Sequence, residues 1–124
     1  MKEHAMDFRL CLLKESGQIG DAVFEQVRGL VRFLEKCTGA ELNEDNSAML
    51  VTHFAVAAER LRRGEDVGAM EDTARRQVLA SPSCERAAFL LDDWLAELNV
   101  LDAGNERDFL LLHLCVFLEN LPET

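Results

Sequence analysis

The sequence predicts an all-α protein, one helical bundle of about five main helices plus a short N-terminal helix. Three observations carry that expectation. Only two prolines, Pro82 and Pro122, interrupt 124 residues. Apolar residues recur at spacings of three and four through most of the chain, and no alternating strand pattern with paired turn signals occurs. With 48% hydrophobic and 29% charged residues, the chain has enough apolar side chain for one packed core and is too short for two.

The elements follow in order. Met6, Leu10 and Leu13 form one stripe, predicting a short helix over 6–14 that Gly17 and Gly20 close. Asp21 is the expected N-cap of a second helix carrying Val23, Phe24, Val27, Leu30, Val31 and Leu34, and Gly39 ends it as a C-terminal glycine does. Asn43 is the next cap, leading Glu44 and Asp45 into a first turn where they suit the helix dipole. From Ala48 to Leu61 that helix is apolar nearly all round, the mark of burial against several neighbours. It turns charged over 59–63 and stops at Gly64. A shorter helix is expected over 67–79. Ser81-Pro82 should start another, with proline at the first helical position and Ala87, Ala88, Leu91, Trp94, Leu95 and Leu98 inward. Asp102 is the expected cap of a last helix reaching Glu119, with Phe109, Leu112, Val116 and Phe117 inward.

Charge narrows the function classes. Twenty-three Asp and Glu stand against 13 Lys and Arg, a formal charge of −10. That balance repels a phosphate backbone, so direct binding of nucleic acid or of an anionic membrane is not expected. No apolar run approaches the roughly 20 residues of a membrane span. Residues 1–13 mix Glu3, His4, Asp7 and Arg9 into their apolar positions, so no leader is expected and the predicted compartment is the cytoplasm. Cys11, Cys37, Cys84 and Cys115 form no Cys-x-x-Cys pair, and in a reducing compartment they are expected to be small buried hydrophobes.

The reactive inventory is small: three histidines and no tyrosine. His4 is expected in a frayed terminus. His53 and His113 each sit mid-helix among apolar residues, where an imidazole is either a satisfied core group or a working one. Arg60 lies seven residues after His53, and Glu106 seven before His113, so each helix carries one imidazole and one charged group along a stripe. Such stripes fit two structural pairs, or a site that accepts and reads a charge. No enzyme is expected: Cys115 lies two residues from His113, on the opposite side of the helix, which is wrong for a nucleophile–base pair. No metal site is expected either, because His53, His113 and Glu106 lack His-x-x-x-His or Glu-x-x-His spacing.

The segment Leu50-Val51-Thr52-His53-Phe54-Ala55-Val56-Ala57-Ala58-Glu59-Arg60, followed by Gly64, resembles the first histidine motif of the phosphotransferase-system regulation domain (PRD). Residues 106–114 resemble its second, in which a glutamate precedes a histidine by seven positions. The separation of His53 and His113, roughly 60 residues, and the flanking helices also resemble the family, over about residues 21–120. The chain departs from it at Thr52, where Asp is frequent, at Gly68-Ala69 in place of Asn-Pro, and at Ala103 in place of proline.

The resemblance implies a PRD-like domain over 21–120, an N-terminal helical extension over 1–20 and a tail over 121–124. It further implies that His53 and His113 are phosphoacceptors supported by Arg60 and Glu106, with no cofactor. The phosphodonor would be a phosphocarrier or sugar-transporter protein, the chain a homodimer, and the output a separate transcription regulator. This is the pattern of stand-alone single-domain members. Arg60 is the expected partner of a phosphoryl dianion on His53, and Glu106 would oppose one on His113. The alternative is a non-phosphorylated helical interaction module or accessory subunit.

Overall fold

The computed structural model describes residues 4–100 and 102–122. Residues 1–3, 101, 123 and 124 lie outside the described part, and with them the leader reading at Glu3 and the last two positions of the expected tail. Six helices and no strand occur among the described residues: α1 (Asp7–Glu15), α2 (Asp21–Thr38), α3 (Glu44–Arg63), α4 (Asp72–Ala80), α5 (Cys84–Glu97) and α6 (Glu106–Glu119). The all-α bundle that the periodicity predicts is present. None of these helices is long and apolar enough to cross a membrane.

Local chemistry sets the ends of α3, the longest helix. The Asn43 side chain accepts from the Asn46 N–H at 3.1 Å while Asn46 Oδ1 accepts from the Asn43 N–H at 2.9 Å, a reciprocal cap that satisfies two otherwise open donors. At the other end Gly64 adopts φ +72°, and the Glu65 N–H returns to the Arg60 carbonyl at 2.9 Å. A side chain at Gly64 would strain that left-handed turn, which locks the backbone beside Arg60.

Four helix starts differ from the sequence pattern, that of α2 falling one residue earlier and those of α4, α5 and α6 later, each because a side chain or turn takes the capping groups first. Gly20, not Asp21, caps α2, its N–H held by the buried Glu59 carboxylate at 2.7 Å. Residues 67–71 are not helical: the Val67 carbonyl accepts from Asn105 Nδ2 at 2.9 Å and Met70 is buried in the core, so α4 waits until Asp72. Pro82 lies in a turn ahead of α5, where Ser81 Oγ accepts from the Ser83 N–H at 3.1 Å. Asp102 accepts from the Gly104 N–H at 2.8 Å in a turn of its own, and Asn105 is the cap of α6.

α3 and α6 form the central pair. α1 and α2 pack on α3; α4 and α5 pack on α6. The Phe54 ring of α3 meets Trp94 of α5 at 5.3 Å between centroids and 44° between planes, a tilted contact that joins the two halves. Because α6 is flanked on two sides, its buried apolar set is Leu110, Leu111, Leu114, Cys115, Phe117 and Leu118. Val116, expected inward, is 46% exposed, and Phe109 and Leu112 are only partly buried. Of the stripe that the sequence turns inward, Phe117 is buried, Phe109 and Leu112 pack partly against the core, and Val116 stands at the open edge of α6.

Two further expectations change. Cys11 and Cys37 are exposed, Cys84 is partly buried, and Cys115 alone behaves as a core residue. His4 is anchored, not frayed: its Nδ1 accepts from the Met6 N–H at 2.9 Å, so the proton sits on Nε2 and is donated to Glu35 at 2.9 Å. Glu35 also accepts from the Leu42 N–H. Around α1, Met6 and Leu10 are at 0% exposure, and Arg28 holds Asp7 at 3.1 Å.

Leu10→Ala is therefore expected to lower unfolding free energy by about 2–5 kcal/mol in a urea titration. A loss below about 1 kcal/mol would mean that α1 is a detachable arm.

Candidate functional site: a stacked histidine pair

The stripes predicted separately on α3 and α6 face each other. The His53 and His113 rings lie 3.9 Å apart between centroids, 10° from parallel. Both are half-buried. Neither makes a hydrogen bond among the described residues, and no buried side-chain nitrogen or oxygen there lacks a partner. The ring nitrogens of the pair are therefore open to water, and this is not a sealed core.

Two turns further along α3, Arg60 crosses to Glu106 in the first turn of α6. Its Nε donates to Oε1, and its Nη2 donates to Oε2 at 3.3 Å. Glu106 is 2% exposed, and a carboxylate so enclosed needs both donors. The pairing holds the Arg60 guanidinium firmly protonated. The two charged residues expected to serve separate histidines thus serve each other, and their fork fixes α3 against α6 so that His53 meets His113.

Two parts of the site carry no intrahelical signal. Arg9 of α1 donates to Thr52 Oγ1 at 3.0 Å and grips Glu44 through Nε and Nη2, setting a second guanidinium beside the residue that precedes His53. Being 43 positions away in sequence, it lies beyond any spacing rule. The second part is a groove of about 220 Å³ that runs past His113 between the start of α3 and the end of α6, with Glu44, Asp45, Met49 and Val116 on its walls.

Burial, more than stacking, sets the protonation of His113. Two charged rings at this separation repel by about 1 kcal/mol in bulk water and about 4 kcal/mol at an effective dielectric of 20, so the stack tolerates one proton far better than two. Burial pushes His113 down to about 4, with the neighbouring His53 as the lesser cause. At neutral pH His113 is a neutral imidazole with a lone pair in the ring plane, the nucleophilic form. Cys115 faces the core, and burial pushes its thiol up, so it takes no part. Among the described residues no group of three or more metal-ligating side chains converges.

Comparison with protein-family models, curated proteins and solved structures finds no match to this chain.

Two measurements check the site. Arg60→Met strands a buried carboxylate and is expected to cost about 2–3 kcal/mol, whereas Arg60→Met with Glu106→Met should recover most of that loss; equal losses would show that the fork carries no such role. In an NMR titration His113 should protonate near pH 4. Since the unfolded ring binds its proton near 6.5, the unfolded chain holds more protons between these values. The stabilisation from His113 is complete above pH 6.5 and lost as pH falls toward 4. An ordinary midpoint for His113 would contradict the burial argument.

Proposed function

We propose that this domain is a phosphoacceptor module of the sugar phosphotransferase type, akin to the PRD, taking a phosphoryl group on His53 or His113 from a phosphohistidine or phosphocysteine protein. The observation that carries this reading is the half-open imidazole stack with an arginine fork two turns away. In the transfer an imidazole lone pair attacks phosphorus. The N–P or S–P bond to the donor breaks as the new N–P bond forms, and the electron pair returns to the donor atom. Neither nucleotide nor metal is required, because the donor arrives activated.

The response follows from the fork. A phosphoryl group brings up to about two negative charges and three acceptor oxygens. On His53 it competes with Glu106 for Arg60, and a Glu106 left alone is a buried, unpaired carboxylate. Either outcome shifts the α3–α6 seam. Val56, Leu112 and Val116, partly exposed around the pair, offer a second copy of the chain a surface to cover, so the seam's state is read as a homodimer equilibrium in the cytoplasm and passed to a separate transcription regulator. A decisive shift needs about 5 kcal/mol of differential interaction, within reach of a dianion that gains or loses an arginine.

A second reading has its own support. Phe8 and Leu12 of α1 are 71% and 50% exposed and line a groove of about 530 Å³ with Arg9 and Glu44, which fits a non-phosphorylated interaction module.

Incubation with phosphocarrier protein, its kinase and phosphoenolpyruvate should leave an acid-labile label that is lost in the variant carrying both His53→Gln and His113→Gln. An unlabelled native chain would overturn the phosphoacceptor reading and leave the interaction module.

A further inference from the structure

The same geometry bears on how many groups the pair can hold. We infer that His53 and His113 form one acceptor site with room for a single phosphoryl group, not two independent sites. For its biological donor this inference rests on the phosphoacceptor reading above; its chemical test does not.

The rings are parallel and 3.9 Å apart, so each lies within the layer of space that a substituent on the other occupies. A phosphoryl group is tetrahedral, and its oxygens extend above and below the plane of the imidazole that carries it. On either ring it crowds the edge of the other. Two such groups set the charge of two dianions about one ring spacing apart, a repulsion greater than that between two protons there.

Only limited compensation is at hand. The Arg60 guanidinium is already forked to Glu106 and Arg9 to Glu44. The groove beside His113 adds Glu44 and Asp45, two more negative charges against a second anion. One phosphoryl group can draw on Arg60; a second would have to take Arg9 from Glu44 and Thr52. Neutral imidazole stacked on phosphoimidazole keeps the ring contact, whereas a doubly modified pair must separate and open the α3–α6 seam. The module then has three states: empty, loaded on His53 near Arg60, and loaded on His113 near the acidic groove. Loading one ring blocks the other, so two donors acting on this chain compete.

Potassium phosphoramidate phosphorylates imidazole without any protein donor and is the probe. Folded native chain is treated to saturation, and intact-mass spectrometry with fragmentation counts and places the groups on His4, His53 and His113. The occupancies of His53 and His113 should sum to one, with chains labelled on both about a hundredfold rarer than the product of the single occupancies. His53→Gln and His113→Gln should each let the remaining ring fill completely. In urea both rings should be labelled in the same chain. Folded chains labelled on both rings at the independent frequency would overturn the inference, as would a folded chain labelled on neither while the urea sample takes both. If phosphoramidate loads one group and the phosphocarrier protein loads none, the biological donor is wrong and single occupancy stands.

Discussion

The contact between α3 and α6 is the constraint on which the rest depends. Both helices are laterally anchored, α3 by α1 and α2, α6 by α4 and α5, and apolar packing alone would leave their rotation about each other loosely set. The Arg60–Glu106 fork removes that freedom. A guanidinium presents its donors in one plane and in fixed directions, and the carboxylate it meets is enclosed, so a slip of either helix by one residue would leave a buried charge unsatisfied. With that register held, the ring stacked on His53 is that of His113. The stack is thus a consequence of the ion pair two turns away, and chemistry at the stack acts back on the pair.

That coupling gives the site its character. His113, kept neutral by burial and by the ring beside it, is nucleophilic without a general base, and the nitrogens of the pair face water because neither ring is used as a structural hydrogen-bonding group. Glu59, the other buried acid of α3, shows the contrast: it is committed to the Gly20 N–H and to Arg63 at 3.2 Å. The negative surface of the chain and the acidic groove beside His113 work against accumulation of further negative charge. A single anion on this face is therefore a large local perturbation, with a nearby arginine to register it.

Much of this was legible from residue spacing. A seven-residue step is nearly two helical turns, so His53 with Arg60 and Glu106 with His113 could be placed on common stripes with no knowledge of the fold. The caps at Asn43 and Gly64 were legible because their side-chain chemistry is local. What escaped was everything set by partners distant in sequence. Val116 carries the same apolar character as Leu114, and only the position of α3 decides which of them is covered. The delayed starts of α4 and α6 depend on Asn105 reaching Val67, the start of α2 on Glu59, and the second guanidinium of the site on Arg9 crossing from α1. That Arg60 would meet Glu106 instead of each histidine having its own charged companion required the pairing of the two helices, which periodicity within one helix does not contain.

The most direct test is a nuclear Overhauser spectrum of the folded chain with labelled histidine rings. The account predicts strong cross-peaks between the carbon-bound ring protons of His53 and those of His113, lost when Arg60→Met releases the register. Ring protons that show contacts only within their own helices would contradict it, since the two imidazoles would then share neither charge nor space.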